Sequence, residues 1–250
     1  MQPTSELVQR CTLNSQSRLE FWARFINEAS IKSMAEVGVY EGDFAAAMLQ
    51  NCPGISKYYM IDPWRHLFDW NKPANQDNAV FERIFEMAKA KTDFAAERRV
   101  ILRGKTTDVI DTISNAELDF AYIDGDHTLR GISIDLMRVY PKVRVGGFIG
   151  GDDFSSTIWS HKTTFEPTLV FPFAVYFAEA VGATIYALPN IQFCMQKPLQ
   201  PEFTFVDLTG QYGDVTLKTH LERNKLLRLF LGEQFPRALT LFRSLRRMFE

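Results

Sequence analysis

At 250 residues, with 46% hydrophobic and 23% charged residues, the chain has the make-up of one folded domain with a sizeable core, which excludes a disordered protein. A formal charge of -2 gives no overall electrostatic drive toward nucleic acid, so a nucleic-acid partner is not expected. Cys11, Cys52 and Cys194 are too far apart for a CxxC pair, no apolar run approaches the ~18 residues that span a bilayer, and the first ten residues are polar, so the expected location is cytoplasmic.

Apolar spacing predicts an amphipathic helix over 16–29 that turns Leu19, Phe21, Trp22, Phe25 and Ile26 toward a core. A strand at 32–39 and a helix at 42–50 follow. After a Pro53-Gly54 turn, a strand at 57–61 ends at Asp62. A polar and aromatic loop, 64–78, leads to a helix at 79–90. A strand at 99–102 precedes Gly104-Lys105-Thr106-Thr107 and a short helix. A strand at 118–123 ends at Asp124, and a helix covers 128–140. A strand at 143–150 runs into Asp152-Asp153. Pro172 suits the first turn of a helix ending at 181. Strands at 183–188 and 191–196 are joined by a tight Pro189-Asn190 turn.

Alternating strands and helices imply an α/β fold with a doubly wound, mostly parallel sheet, and the close-coupled last pair adds an antiparallel strand at one edge. The expected organisation is an N-terminal helical segment (1–32), a Rossmann-like domain (33–198) and a C-terminal helical extension (199–250). That extension holds two helices, 221–231 and 235–249. The second carries an apolar stripe and four arginines, Arg237, Arg243, Arg246 and Arg247. It is expected to pack on its own domain or to build a homo-oligomer; peripheral contact with an anionic membrane is the alternative.

The segment from Ala35 to Phe44, AEVGVYEGDF, reads as a buried strand, an acidic glycine turn and a helix start, which is a small-molecule cradle. A dinucleotide fingerprint would have glycine where Tyr40 stands, and Glu36 adds a charge that repels pyrophosphate. The spacing Glu36-x-Gly38-x-x-x-Gly42 resembles the first motif of class I S-adenosylmethionine methyltransferases, in the variant found in catechol-type and macrocin-type O-methyltransferases. The resemblance covers 33–197 and implies a seven-stranded sheet. On that reading Glu36, Gly38, Tyr40, Gly42, Asp62, Pro63, Gly104, Thr106 and Asp124 hold the cofactor. A carboxylate such as Asp62 can accept both hydrogen bonds of a ribose diol, and Gly104 and Thr106 resemble the family's adenine-side loop.

Asp124, Asp152 and Asp153 follow two strands expected to be neighbours, and three carboxylates so close would repel unless a cation or protons compensate. Oxygen ligands favour Mg²⁺. The same three residues resemble the metal site of the metal-dependent O-methyltransferases. Ile123-Asp124-Gly125-Asp126-His127 resembles the macrocin-type sugar O-methyltransferases, where the second aspartate can act as base. Asp126, His127 and His161 therefore stand as the candidate bases. In the metal-free alternative, Asp152-Asp153 cap a loop and Asp124 tethers the cofactor turn. The resemblance implies methylation of a hydroxyl on a sugar or glycosylated natural product, with a catechol-like phenol as the alternative. An NAD-linked oxidoreductase and a non-catalytic binding protein on the same scaffold are the readings from other classes.

Overall fold

The computed structural model describes residues 4–213 and, beyond them, positions 227, 229, 230, 232 and 233. In chain order the elements are α1 (Thr4–Leu13), α2 (Arg18–Glu28), β1 (Ser33–Val37), α3 (Asp43–Asn51), β2 (Lys57–Asp62), α4 (Asn78–Lys91), β3 (Arg99–Arg103) and α5 (Thr106–Val109). There follow β4 (Leu118–Ile123), α6 (Leu129–Val139), β5 (Val143–Gly151), α7 (Val170–Val181), β6 (Thr184–Leu188), β7 (Gln192–Gln196) and β8 (Thr204–Asp207).

One sheet contains all eight strands, in the order β3-β2-β1-β4-β5-β7-β6-β8. Only β7 runs against the others, pairing with β5 and with β6, and β8 lies parallel to β6 beyond it. Among the described residues the sheet thus has one strand more than the seven expected. Where a helical extension was expected from 199 onward, the sheet continues first with β8. The helix expected at 221–231 is described at a few positions, all helical, and the one at 235–249 lies outside the described residues.

Alternate side chains of each strand point to opposite faces, and both faces are covered. Met34, Tyr58, Met60, Phe120 and Tyr122 face a core built with α1 to α4. Ala35, Val37, Tyr59, Ile61, Ala121 and Ile123 face a second core with α6 and α7. Sheets buried on both sides need near-continuous apolar strands, which explains why β1, β2 and β4 read so plainly in the sequence.

The helix read over 16–29 is α2, and Ser17 caps it by accepting from the Glu20 amide. Its buried stripe puts Trp22 and Phe25 against Phe120, and Phe25 edge-on to Phe148. Helix α1, which the sequence did not reveal, buries only Val8 and Cys11. Both N-terminal helices pack on the same core as α3 and α4. Among the described residues no helix is long and apolar enough to cross a membrane.

Candidate active site

The carboxyl ends of β1, β2 and β4 lie side by side and are cross-tied at their last residues. The Gly38 amide donates to the Ile61 carbonyl (2.9 Å), and the Asp124 amide donates to the Val37 carbonyl (2.8 Å). A cleft of about 560 Å³ opens over this edge. That is the volume range of small-molecule sites, and strand ends near a change of winding direction are where open α/β sheets bind ligands.

Gly38 is in the left-handed region at φ +89°, and a Cβ there would stand 2.1 Å from the Asp124 carbonyl oxygen. No other residue lets β1 turn this tightly against β4. Tyr40 is also left-handed (φ +49°). Its amide donates to Asp62 Oδ2 (2.9 Å), and its carbonyl accepts from Trp64 Nε1 (2.8 Å). The Trp64 amide donates to the other Asp62 oxygen (2.7 Å). Asp62 therefore fixes two backbone turns while lining the cleft. Burial pushes its carboxyl up to about 6, against the pull of those amides.

Glu36 is 2% exposed, and its Oε2 accepts from the Tyr58 hydroxyl (2.7 Å). Burial raises its pKa well above the usual range, and Asp124 and Asp62 add to the rise. Burial therefore works against the charge attributed to Glu36 at this turn. Gly104 donates its amide to the Asp62 carbonyl (3.0 Å). Thr106 donates its hydroxyl to Asp135 Oδ1 (2.5 Å). Asp135, on α6, was not singled out in the sequence; burial lifts its carboxyl to about 7. Pro63, Gly104 and Thr106 line the cleft, as do Glu36, Gly38, Tyr40, Asp62 and Asp124. Gly42 does not; it precedes α3 and backs onto Ala88 of α4.

The second half of the cleft is acidic. His127 lies between two carboxylates: its Nδ1 meets Asp153 Oδ2, and its Nε2 is 3.3 Å from Asp124 Oδ1. Burial disfavours the imidazolium, but the two carboxylates outweigh it and raise the pKa to about 10. Asp153 is held left-handed at φ +55°, an uncommon state for a non-glycine residue. Asp126 lines the cleft but also accepts from the Thr128 amide (3.0 Å) at the start of α6. His161 sits exposed on the rim, where desolvation and the Lys72 charge push its pKa down.

Asp152 does not join this group. Its Oδ2 pairs with Arg18 Nη1, and its Oδ1 accepts from Gln192 Nε2 (2.6 Å) and the Asp153 amide (2.7 Å). Successive residues point to opposite sides, so Asp153 faces the cleft and Asp152 faces α2. The three-carboxylate centre expected at Asp124, Asp152 and Asp153 is therefore not assembled. What converges instead is Asp124, His127 and Asp153, with ligand atoms within 4.8 Å of one another. One nitrogen and two carboxylates do not make the all-oxygen set that suits Mg²⁺.

Two loops roof the cleft, 63–77 and 152–169. Asn71 Nδ2 donates to the Thr164 carbonyl (3.0 Å), and the Glu166 amide donates to the Asn71 carbonyl (3.3 Å). Lys72, 5% exposed, donates to the Glu166 carbonyl (2.9 Å) and Thr168 Oγ1 (3.2 Å). Nothing in the residues around Lys72 marks it, because its burial depends on a segment some ninety residues away.

Residues 35–154 match the family described as "Methyltransferase domain". No curated protein matches the sequence. Solved structures share the fold. A protein assigned as a caffeoyl-CoA O-methyltransferase from Staphylococcus aureus is 14% identical with a TM-score of 0.54, over 78% of this chain and 91% of that one. The O-methyltransferase TomG from Streptomyces achromogenes, solved with S-adenosylmethionine (SAM), is 12% identical with a TM-score of 0.51, over 77% and 90%. An O-methyltransferase from Bacillus cereus, solved with S-adenosylhomocysteine (SAH), is 15% identical with a TM-score of 0.50, over 76% and 88%. Residues 35–154 thus carry a methyltransferase-domain match, and the Gly38 turn, the strand order and the cleft at the carboxyl edge lie on an α/β fold shared with those solved O-methyltransferases.

Proposed function

We propose that the protein transfers the methyl group of SAM to a hydroxyl of a sugar or glycosylated natural product. The observation that carries this reading is the Gly38 turn packed on the Asp124 carbonyl, beneath a cleft lined by Asp62 and Thr106. That arrangement suits a nucleoside with a cationic centre. When bound, SAM supplies an electrophilic methyl group on a sulfonium.

The protein's own groups then have separable tasks. Asp62 offers its remaining lone pairs to a ribose diol. Thr106 and Asp135 wall the far end. His127 has both ring nitrogens turned to Asp153 and Asp124, and those carboxylates raise its pKa, which disfavours it as the base. The base role falls to Asp126 or His161, both on the cleft wall. The roof excludes water and positions the acceptor, which is where most of the rate enhancement in such a displacement arises. The aromatic and polar lining, Trp70 with Lys72, Asp126 and Arg130, supports a hydroxyl-rich acceptor. The Mg²⁺ reading lacks its oxygen triad, which also weakens a catechol chelated through two oxygens.

Calorimetry with SAH tests the cofactor, and absence of binding overturns the reading. Transfer of labelled methyl from SAM to glycosides and to catechols then tests the acceptor. Labelling of catechols alone, dependent on Mg²⁺, would replace the sugar assignment.

A further inference from the structure

We infer that Arg18 is the built-in counter-ion of the acidic rim, and that it holds Asp152 out of any divalent-cation site at the cleft. Asp124 and Asp152 follow β4 and β5, which are adjacent parallel strands. Asp153 already brings one carboxylate from the end of β5 toward Asp124, and Asp152 is the further carboxylate that a divalent-cation site at these strand ends could recruit. The Arg18 guanidinium lies between Asp152 and Asp124 instead, on Asp152 Oδ2 and 3.5 Å from Asp124 Oδ2.

The placement is built rather than incidental. Arg18 opens α2, and Trp22 is four residues on, so both lie on one helix face. Trp22 is fully buried over Gly150, and its Nε1 donates to Gln192 Oε1 (2.9 Å). Gln192, 1% exposed, also accepts from the Tyr122 hydroxyl (2.7 Å) and donates to Asp152 Oδ1 (2.6 Å). The anchor of the helix and the carboxylate that receives its arginine are therefore joined through one amide. In its present position Asp152 is held by both the Gln192 amide and the Arg18 guanidinium. Arg18 lies outside the matched segment 35–154, so the N-terminal helix completes the electrostatics of the methyltransferase domain.

The inference does not depend on the identity of cofactor or acceptor. Its test is Mn²⁺ and Mg²⁺ titration of the full-length, chelator-treated protein, followed by calorimetry and by the paramagnetic resonance of free Mn²⁺. Arg18→Gln should bind Mn²⁺ about tenfold more tightly than wild type or better, and Arg18→Lys should stay near wild type because it keeps the charge. Asp152→Asn in the otherwise wild-type chain should leave Mn²⁺ affinity unchanged, which tests the claim even if Arg18→Gln does not fold. Equal affinity of wild type and Arg18→Gln overturns the inference, as does a tenfold loss in Asp152→Asn. Melting in chelator identifies unfolded variants, and SAH binding, measured separately, reports on the cofactor reading alone.

Discussion

Trp22 lies so close to Gly150 that a methyl group on that glycine would stand 2.2 Å from the indole Cη2. The contact joins the N-terminal helix to the centre of the sheet. Gly150→Ala should therefore cost about 1–3 kcal/mol through overpacking, read as a lower midpoint in urea. A variant as stable as wild type would show that α2 shifts freely, which would also undermine the placement of Arg18.

The Gly38 turn makes a sharper prediction. Gly38→Ala meets both a left-handed backbone and the Asp124 carbonyl. It should lose SAH binding altogether, and calorimetry with SAH would reveal the loss. Retained affinity would mean that the cofactor approaches from another edge.

Tyr58→Phe removes the only hydrogen-bond partner observed for the buried Glu36 carboxyl among the described residues. Leaving a buried polar group unpaired costs about 1–3 kcal/mol. Chemical denaturation of the variant measures it directly. Tyr59→Phe is an unsuitable control, because that hydroxyl serves Glu117.

Asp135 supplies a pH signature. Its pKa rises from 3.8 to about 7 on folding because burial disfavours the carboxylate. The folded state therefore holds the proton more tightly than the unfolded chain. This contribution to stability is full below the unfolded pKa and is lost as pH climbs through the folded one. Asp135→Asn keeps an acceptor for Thr106 and removes the titration. The stability of wild type relative to the variant should fall between about pH 4 and pH 7 and level off above. A difference that stays flat across that window would refute the assignment.

Asp153 and Asp152 should behave as opposites despite being neighbours. Asp153→Asn leaves the core intact but loosens His127, so methyl transfer should drop about a hundredfold with little change in melting. Asp152→Ala instead removes one partner each from Arg18 and Gln192, and its main effect should be on stability. Parallel melting curves and turnover assays separate the two.

This pair also marks where the sequence stops being readable. The strands β1, β2 and β4 are legible because both their faces are buried, and the cleft could be located from the acids at their ends. Asp152 and Asp153 look equivalent as letters, but the twofold alternation along the chain and the left-handed turn at Asp153 send them to different places. Helix α1 escaped notice because its surface is mostly polar, and β8 because one exposed and three half-buried residues at a sheet edge carry little pattern. Lys72, Asp135 and Arg18 draw their significance from partners distant in sequence, which no local spacing reports.

The roof over the cleft has a mechanical consequence. Asn71 and Lys72 tie the loop after β2 to Thr164, Glu166 and Thr168, and the Leu169 amide is bonded in turn to the His127 carbonyl (2.9 Å). Two loops fastened in this way are joined into a single cover anchored beside the imidazole. If release requires those ties to break, a change at Asn71 or Lys72 should alter the pace of turnover before it alters the strength of cofactor binding.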